Sequence, residues 1–329
     1  WKVVSLFRPR PDAWPGRYDI SRKEFSGSFP VCTQRRPRFS IIIVSLNGRE
    51  RLAWPLDTLR RCDPAPYEII VVDNGSSDDT SAFVETNYPE VKLVRAPQNL
   101  GFAGGNNLGM LNARGDVLVL LNDDTEPDPD WLAPLEREFS ADPRLGIAGV
   151  RLVYPDRKTV QHMGGMIELN GLTKHVDYGA ALSADTPEPF EADYVTGAAL
   201  AIRRETVREI GLLDHCFWPI YFEETDWCLR ASRRNWRILV VPDSVVVHYE
   251  SQTTEKLSRR FLTMYNRNRV RFLLKHKRGR ELLRTLRAEA RWIVGHHPWD
   301  NFWPLCMAYA WGILQWPEIE RMARREGLR

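Results

Sequence analysis

Short apolar runs, rich in β-branched residues, recur through the first 250 residues of the chain, and most are followed by a polar turn. Runs of this length cross a hydrophobic core as buried strands, and the segments between several of them have the apolar spacing of helices. Because strands that alternate with helices form right-handed βαβ units, the pattern predicts an α/β domain with a mostly parallel central sheet and flanking helices. The predicted strands span residues 39–46, 67–72, 91–94, 117–121, 146–154, 194–202, 236–241 and 244–248.

Polar residues stand at the carboxyl ends of three predicted strands. Ligands bind at these ends in open parallel sheets, and Asn47, Asp73 and Asp124 fall there. A carboxylate beside a buried strand is costly unless something pairs with it, and a hard cation such as Mg²⁺ or Mn²⁺ does so through oxygen ligands. The structural alternative is that residues 122–124 form a polar turn, and that Asp73 belongs to a turn that caps a helix predicted at 80–86.

A glycine-rich turn precedes a predicted helix between the third and fourth strands. Gly101, Gly104 and Gly105 would let the backbone approach a ligand closely, and the start of the helix favours a phosphate group. These glycines do not form GxGxxG, and no GxxxxGK[ST] occurs, so neither a dinucleotide fold nor a P-loop is indicated.

A second cluster of acids lies at residues 223–226, directly after an aromatic run. Asp226 and Arg230 have the spacing of an ion pair within one helix. Two adjacent glutamates, Glu223 and Glu224, need another explanation, since a carboxyl group in an apolar pocket acquires a raised pKa and can act as a general base. His248 ends the last predicted strand and is a candidate metal ligand, although a lone histidine is more often structural.

Length and composition are those of a globular protein. The chain has 329 residues, of which 43% are hydrophobic, enough for one large or two modest domains with a sizeable core. Five scattered cysteines without CxxC spacing argue against a disulfide framework or a zinc site, and they are compatible with a reducing compartment. No apolar stretch approaches the length needed to span a bilayer.

The C-terminal part of the chain differs from the rest in charge. From residue 251 onward it holds 17 lysines and arginines against 7 acidic residues, and five tryptophans follow residue 290. A basic, Trp-rich helical stretch suits an interfacial helix on an anionic membrane. The alternatives are that its aromatic residues pack on the catalytic domain or on a second subunit. Nucleic acid is not expected as a partner, because no known binding module accompanies the basic residues.

Six segments, taken together and in this order, resemble the family 2 glycosyltransferases of the GT-A fold, most closely bacterial enzymes that add rhamnose or related sugars to surface polysaccharides. The resemblance extends from about residue 40 to residue 251. The segments are SIIIVSLNG (40–48), IIVVDNGSSDDT (69–80), NLGFAGGNNLG (99–109), LLNDDTEPD (120–128), FEETDWCLR (222–230) and VVVHYESQT (245–253).

The resemblance implies an inverting, metal-dependent transfer of one sugar from a nucleotide-diphosphate sugar to an acceptor hydroxyl. Asn122 and Asp124 match the outer positions of the family's DxD motif and would bind Mn²⁺ or Mg²⁺ with His248, while Glu224 matches the catalytic base. The residues implied to bind the nucleotide sugar are Ser45, Asn47, Asp73, Asn99, Gly101, Gly104, Gly105, Asn106, Asn107 and Asp123.

The sequence departs from the family pattern at two of these positions. Asn122 replaces an acid, so the metal would have fewer charged protein ligands. Glu224 stands where the family has aspartate, which leaves Glu223 or Asp226 open as the base or as support for it. The QxxRW motif of processive members does not occur, and its absence favours transfer of a single sugar.

The residue pattern at the two ends of the chain and the resemblance between them together predict a domain organisation and a cellular location. We expect an irregular N-terminal arm at 1–37, a GT-A catalytic domain at 38–253 and a helical extension at 254–329. The expected donor is dTDP-rhamnose or, next, a UDP-hexose, and the expected acceptor is a glycan or a lipid-linked glycan. The enzyme would act in the cytoplasm, peripherally on the inner face of the bacterial membrane, with a homodimer through the extension as the alternative contact.

Two other classes of protein remain as alternatives. A sugar nucleotidyltransferase would need a basic pyrophosphate-binding signature near the first strand, and SLNGRE at 45–50 is not one. An inactive nucleotide-sugar or carbohydrate-binding module would not need the paired acids Glu223 and Glu224 together with His248.

Overall fold

The computed structural model describes residues 36–183, 185–249, 259–296 and 299–328. The expected arm therefore lies outside the described residues apart from its last two, and so does the expected boundary at 253/254. The strands are β1 (Phe39–Ser45), β2 (Glu68–Asp73), β3 (Lys92–Arg95), β4 (Val117–Asn122), β5 (Thr125–Pro127), β6 (Leu145–Val153), β7 (Val160–His162), β8 (Gly165–Ile167), β9 (Thr173–His175), β10 (Phe190–Glu191), β11 (Ala199–Arg203) and β12 (Arg237–His248). The helices are α1 (Ala53–Leu59), α2 (Thr80–Asn87), α3 (Gly101–Asn112), α4 (Leu132–Ala141), α5 (Arg204–Ile210), α6 (Glu223–Ser232), α7 (Arg259–His276), α8 (Gly279–His296), α9 (Trp299–Leu314) and α10 (Trp316–Arg325), with a 3-10 turn at His215–Phe217.

Ten strands of the described part form the central sheet, in the order β10-β12-β6-β11-β4-β1-β2-β3, with β5 paired to β12 and β7 to β6. Strand β1 lies between β2 and β4 and is parallel to both. Strand β11 runs antiparallel between β4 and β6, and β12 is parallel to β6. The predicted α/β class with a mostly parallel sheet and flanking helices is therefore confirmed.

Both faces of the sheet are covered, which explains why its central strands are apolar without alternation. Along β1, Ile41 and Ile43 point into one hydrophobic cluster, while Ile42 points into the other. The first cluster contains Trp131 beside α4, and the second contains Trp227 of α6. Helix α6, which carries the acidic cluster, is thus fixed to the sheet through a buried indole ring.

Two predicted strands, 236–241 and 244–248, are one continuous strand in the structure. Strand β12 shifts its register against β6 between Val241 and Val245, so the polar residues between them form an irregularity instead of a break. Strand β5 was not predicted, since it has three residues and ends in a proline. It pairs with the end of β12, and this pairing sets His248 opposite Thr125.

Helix α7 of the C-terminal part is embedded in the protein. Its polar residues Asn266, Arg267, Asn268 and Arg269 are buried, as are Lys275 and His276 near its end. The rings of Phe261 and Tyr265 lie against Tyr221, which stands just before α6. Helices α9 and α10 pack on the other side of α7. Among the described residues, no helix is both long and apolar enough to cross a membrane.

Candidate active site

A cavity of about 640 Å³ opens at the carboxyl ends of the central strands. It contains Asn122 and Asp124 from the end of β4, His248 from the end of β12, and Glu224 from the first turn of α6. Four candidate residues that are up to 126 positions apart in sequence therefore meet in one cavity. The rest of the lining includes seven aromatic side chains, those of Phe102, Tyr178, Tyr194, Tyr221, Phe222, Phe261 and Tyr265, together with the polar side chains of Thr173, Lys174, His175, Thr196 and Thr225.

Asp124, His248 and Asn122 form a compact polar cluster at the floor of this cavity. The distance from His248 Nε2 to Asp124 Oδ1 is 3.2 Å, and that to Asn122 Nδ2 is 3.5 Å. Burial acts to raise the pKa of Asp124, but the contact with His248 outweighs it, so this pKa lies below its ordinary value. The pairing of β5 with β12 brings the three side chains together, because it joins the turn after β4 to His248.

Gln161 of β7 holds the imidazole ring of His248 from the other side. Its Oε1 lies 2.6 Å from His248 Nδ1, and its Nε2 donates to the backbone oxygen of His248 at 3.3 Å. The second bond fixes which end of the amide faces the ring, so Oε1 accepts from Nδ1–H. Nε2 is then the ring nitrogen that faces the carboxylate of Asp124.

This arrangement fits a divalent cation. A lone pair and a carboxylate oxygen repel each other unless a proton or a cation lies between them, and here the two atoms are 3.2 Å apart. Carboxylate and imidazole are ligands for Mn²⁺, and the amide of Asn122 can rotate to present its oxygen. A second partner on the far ring nitrogen, the position that Gln161 takes here, is usual for metal-binding histidines.

Glu224 is the carboxyl group of the cavity that lies apart from this cluster. It is partly buried, and removal from water raises its pKa to about 7. Tyr221 and Phe222, directly before α6, have left-handed backbone angles, with φ of 86° and 77°. Such angles are unfavourable for aromatic residues and persist where the surrounding structure enforces them, often at functional sites.

Glu223 points into the protein instead of the cavity. Its side chain is fully buried, and neither carboxyl oxygen has a hydrogen-bond partner among the described residues. Burial and the neighbouring charge of Glu224 raise its pKa well above the ordinary value. A carboxyl group held in its protonated form is a poor general base, which weighs against Glu223 in that role.

Asp226 lies outside the cavity, in a buried ion cluster, which corrects its expected place beside the base. Its oxygens accept from Arg230 at 2.8 Å, from Lys275 at 2.8 Å and from His276 at 2.7 Å. Burial opposes ionisation, but the charges of Lys275 and Arg230 and the hydrogen bond from His276 lower its pKa well below the ordinary value. The predicted pair with Arg230 is confirmed, and Asp226 serves to tie α6 to α7.

The first group of expected nucleotide-binding residues stands where β1 and β4 end. Ser45 Oγ donates to Asp123 Oδ2 at 2.6 Å, and Arg51 Nη2 donates to the same oxygen at 3.1 Å. A Cβ atom on Gly48 would lie 1.8 Å from Ser45 Oγ and 2.5 Å from Asp123 Oδ2. This contact explains the glycine, because any side chain there would displace the Ser45–Asp123 pair.

Asn47 joins the loops after β1 and β2, and Asp73 orders the second of these loops. Asn47 Oδ1 accepts from the backbone N–H of Ser77 at 2.8 Å. Asp73 Oδ1 accepts from the N–H of Ser76 at 2.8 Å, and its Oδ2 accepts from Ser81 Oγ. Asp73 therefore belongs to a hydrogen-bonded turn that leads into α2, as the structural alternative predicted, although the N-cap residue of α2, Asp79, makes no side-chain capping bond.

The glycine-rich segment is a helix from Gly101 onward, which corrects the expected turn at 101–105. Gly104 and Gly105 are buried inside α3, and a Cβ on Gly105 would lie 2.5 Å from Val44 Cγ1. Gly105 thus lets α3 lie close to β1, and neither glycine forms a phosphate loop. Gly101 starts the helix, and Asn99 Oδ1 accepts from its N–H at 2.8 Å.

Two further expected residues are also turned into the protein. Asn107 donates to Leu213 O at 2.9 Å and accepts from Leu213 N at 3.0 Å, so its amide clamps the loop before the 3-10 turn. Asn106 donates to Phe102 O at 3.0 Å within its own helix. Of the ten expected nucleotide-sugar residues, none lines the cavity that holds Asp124 and Glu224.

Several residues at the site were not predicted. Gln161 gave no signal, since its role depends on β7 and β12 both pairing with β6. Phe261 and Tyr265 were assigned to the extension, and only the packing of α7 brings them to the cavity. Tyr221 and Phe222 could have been found, because the aromatic run directly before the paired glutamates is visible in the sequence.

The fold and this cavity define an α/β enzyme in which a polar cluster at the strand ends faces a separate carboxyl group. Residues 40–211, more than half of the chain, match the family model "Glycosyl transferase family 2". The chain therefore belongs to this family and is a glycosyltransferase with the GT-A fold, as the sequence resemblance implied.

Two curated relatives illustrate the range of the family match. "Uncharacterized protein y4gI" of Sinorhizobium fredii is 30% identical over 230 residues, which are 65% of this chain and 25% of that protein. "N-acetylglucosaminyl-diphospho-decaprenol L-rhamnosyltransferase" of Mycobacterium tuberculosis is 25% identical over 276 residues, which are 77% of this chain and 88% of that protein. The chain thus spans only a quarter of the first relative and most of the second.

A solved structure supports the fold independently of close sequence similarity. GalNAc-T7, crystallised with UDP, GalNAc and Mn²⁺, superposes with a TM-score of 0.59 over 73% of this chain and 48% of that chain. The two sequences are 20% identical. At this level of identity the likeness establishes the GT-A fold and nothing about the donor.

Proposed function

We propose that the protein is an inverting, metal-dependent glycosyltransferase that moves one sugar from a nucleotide-diphosphate sugar to a hydroxyl group of an acceptor. The observation that carries this proposal is that Asp124, His248 and Asn122 share one cavity with Glu224. One part of the cavity suits a cation and a leaving diphosphate. The other part offers a single carboxyl group for the acceptor.

Glu224 is the proposed catalytic base. Its ionised form accepts the proton of the acceptor hydroxyl while that oxygen bonds to the anomeric carbon, and the bond from this carbon to the diphosphate oxygen breaks. Because attack comes from the face opposite the leaving group, the anomeric configuration inverts, as in single-displacement glycosidases. A base with a pKa of about 7 is well matched to this task at neutral pH.

Asp124, His248 and Asn122 are the proposed ligands of Mn²⁺ or Mg²⁺. When bound, such an ion offsets the negative charge that develops on the departing nucleoside diphosphate. Asp124 supplies the one protein charge among the three ligands, and Gln161 keeps Nε2 of His248 available. With asparagine at 122, we expect the ion to bind weakly until the diphosphate of the donor adds its own oxygens.

The proposed nucleotide site is the rim formed by the loops after β1, β2, β3 and β4. Ser45, Asn47, Asp73, Asn99 and Asp123 stand there, and the hydrogen bonds among these loops order the rim before a donor arrives. Gly101, at the start of α3, places a helix N-terminus at the same rim. Gly104, Gly105, Asn106 and Asn107 shape α3 behind it and have no direct role in this proposal.

The donor and acceptor in this proposal are dTDP-rhamnose, or next a UDP-hexose, and a glycan or lipid-linked glycan of the bacterial surface. The name of the mycobacterial relative includes both a rhamnosyl group and a decaprenol-linked acceptor, which supports this choice. The aromatic side chains of the cavity suit the apolar faces of sugar rings, and its polar side chains, among them Lys174 and His175, can fix their orientation.

An anionic membrane surface on the cytoplasmic side is the proposed partner of the C-terminal helices. No charged residue occurs between Asp300 and Glu318, a stretch that includes most of α9. Exposed apolar side chains recur along α9 at helical spacing. They are Phe302, Trp303, Met307, Ile313 and Leu314.

Helix α8 adds positive charge to this surface. Its exposed arginines make no ion pair with any residue in the described ranges, and they follow one another at i, i+4, i+7 and i+11. An apolar stripe of Leu283, Leu286 and Val294 runs beside them. Unpaired arginines next to apolar side chains suit anionic headgroups better than the interior of a protein interface. The arginines are Arg280, Arg284, Arg287 and Arg291.

A thermal-shift panel of nucleotide sugars, with and without Mn²⁺, tests the proposed donor class. A bound donor raises the melting temperature by mass action, so the true donor should give the largest shift, and only with the ion present. The anomeric configuration of the transferred sugar, read by NMR, tests inversion. Retained configuration, or donor binding that is indifferent to Mn²⁺, would contradict the proposal.

A further inference from the structure

Five consecutive backbone carbonyls, those of residues 217–221, accept hydrogen bonds from neighbouring helices. Asn268 Nδ2 donates to Ile220 O at 2.9 Å, to Tyr221 O at 3.1 Å and to Phe217 O. A second residue of α7, Arg267, donates through Nη2 to Trp218 O. The remaining carbonyl, that of Pro219, accepts from Phe102 N of α3 at 3.1 Å.

The 217–221 segment leads directly to the proposed base. It ends at Tyr221, whose left-handed backbone angle is shared by Phe222, the N-cap of α6. Glu224 follows two residues later, in the first turn of the helix. The direction in which this turn presents Glu224 therefore depends on two unfavourable backbone conformations, which must be held by contacts from outside the segment.

Asn268 is placed to hold the backbone conformations of Tyr221 and Phe222. Its side chain is fully buried, and the three carbonyls that it binds come from both ends of the 217–221 segment. An alternative path of this segment would leave several buried carbonyls without a donor, and each such carbonyl is costly. A separate contact holds α6 to α7 further along, where Asp226 accepts from Lys275 and His276.

We propose that Asn268 is a positioning residue for Glu224, so that α7 of the C-terminal extension completes the active site of the catalytic domain. The inference rests on the proposed function, in which Glu224 is the base. It assigns to the extension a role in the reaction that is separate from any contact with a membrane. The three cavity residues Ile220, Tyr221 and Phe222 are positioned by the same contacts.

The test compares Asn268→Ala with the matched control Asn266→Ala in the full chain. Asn266 is a fully buried asparagine two residues away on the same helix, but its Nδ2 donates to Leu262 O of that helix at 2.9 Å. Turnover at saturating substrates, the donor dissociation constant and the melting temperature are measured for both. If Asn268→Ala does not fold, Asn268→Ser, which keeps one donor, is compared with Asn266→Ala in its place.

The expected result is a separation of chemistry from donor binding. Displacement of a reacting group by about 1 Å costs on the order of 100-fold in rate, so kcat of Asn268→Ala should fall by about that factor. Its donor affinity should stay within about twofold of wild type, and Asn266→Ala should keep a near-normal kcat. Asn268→Ser should lie between Asn268→Ala and wild type.

Two outcomes would overturn the inference, and they are distinguishable. Equal kcat values for Asn268→Ala and Asn266→Ala, with Glu224→Gln inactive, would remove the positioning role and leave the base assignment intact. Wild-type turnover by Glu224→Gln would remove the base assignment itself, and the positioning role with it.

Discussion

Nδ1 of His248 lies 2.6 Å from Oε1 of Gln161, and this contact decides which nitrogen of the imidazole ring is available to a metal. Gln161 also donates to the backbone oxygen of His248, so its amide cannot turn without losing a bond. The two residues are 87 positions apart in sequence, on strands that flank the same partner strand, β6. The histidine is thereby oriented before any ligand binds.

Replacing Gln161 by alanine should weaken metal-dependent donor binding. Loss of the partner on a metal-binding histidine typically costs about 10- to 100-fold in metal affinity. We expect a shift of this size in the Mn²⁺ concentration that gives half-maximal donor binding, measured by titration calorimetry. Gln315→Ala, between α9 and α10, is the control and should behave as wild type. An unchanged Mn²⁺ dependence of Gln161→Ala would show that the ring needs no such partner.

Asp124→Ala should abolish the increase in melting temperature that Mn²⁺ and donor produce together. The carboxylate of Asp124 is the one charged protein ligand in the proposed set, so its loss removes most of the attraction for the ion. Asp128→Ala, which removes a partly exposed carboxylate paired with Arg157, is the control. Full activity of the Asp124→Ala variant in EDTA would refute a catalytic metal at this place.

Much of the fold could be predicted because the central strands are buried on both faces. Strands β1, β2 and β4 lie within one or two residues of their predicted bounds, since a short apolar run between polar turns has few alternatives. The short strand β5 and the join within β12 could not be predicted, because both depend on pairing with distant strands. The same pairing creates the cluster of Asp124 and His248.

The candidate site was predicted in part, because the sequence pattern also determines where the strands of the sheet end. Residues at strand ends, such as Asp124, converge by topology, and the sequence pattern contains that information. Asn106 and Asn107 occur in the motif that resembles the family, yet their amides are used inside the protein. Spacing along the chain indicates which side chains are near the site, but not which way a helix turns them. Arg269 and Lys275 of α7 are a similar case, since they are buried in ion pairs.

The rate of transfer should fall as the pH drops through about 7. Glu224 acts as a base only when ionised, and burial raises its pKa to about 7. The logarithm of kcat should therefore lose one unit per pH unit below this value and level off above it. Initial rates at saturating donor and Mn²⁺, measured from pH 5 to 9, test this expectation. A midpoint near the ordinary carboxyl pKa would contradict the assigned environment of Glu224.

The same pKa predicts that Glu224→Gln is more stable than wild type above pH 7. A raised pKa means that the folded protein binds the Glu224 proton more tightly than the unfolded chain does. Stability from this group is complete below the unfolded pKa and is lost as the pH rises through about 7. Glutamine stays neutral, so its advantage in melting temperature should be present at pH 8 and absent at pH 4.

Charge reversal on α8 should weaken binding to anionic vesicles without affecting the reaction. Arg284 and Arg287 are exposed, and each basic residue near an anionic surface contributes about 1 kcal/mol. Arg284→Glu/Arg287→Glu should therefore lower the partition coefficient on phosphatidylglycerol vesicles by about 30-fold or more, measured by co-sedimentation. Arg61→Glu/Arg114→Glu, an equal charge change at exposed positions of the catalytic domain, is the control.

Three further measurements separate a membrane from other partners of this surface. Transfer to a water-soluble acceptor should be unchanged in the α8 variant, because the cavity lining includes no residue of α8 or α9. Trp303→Ser should lower binding to both anionic and neutral vesicles, since an apolar side chain contributes to each. Light scattering reports whether the protein is monomeric without lipid. A stable dimer that Trp303→Ser dissociates, together with no vesicle binding by wild type, would assign the apolar face of α9 to a second subunit instead of a bilayer.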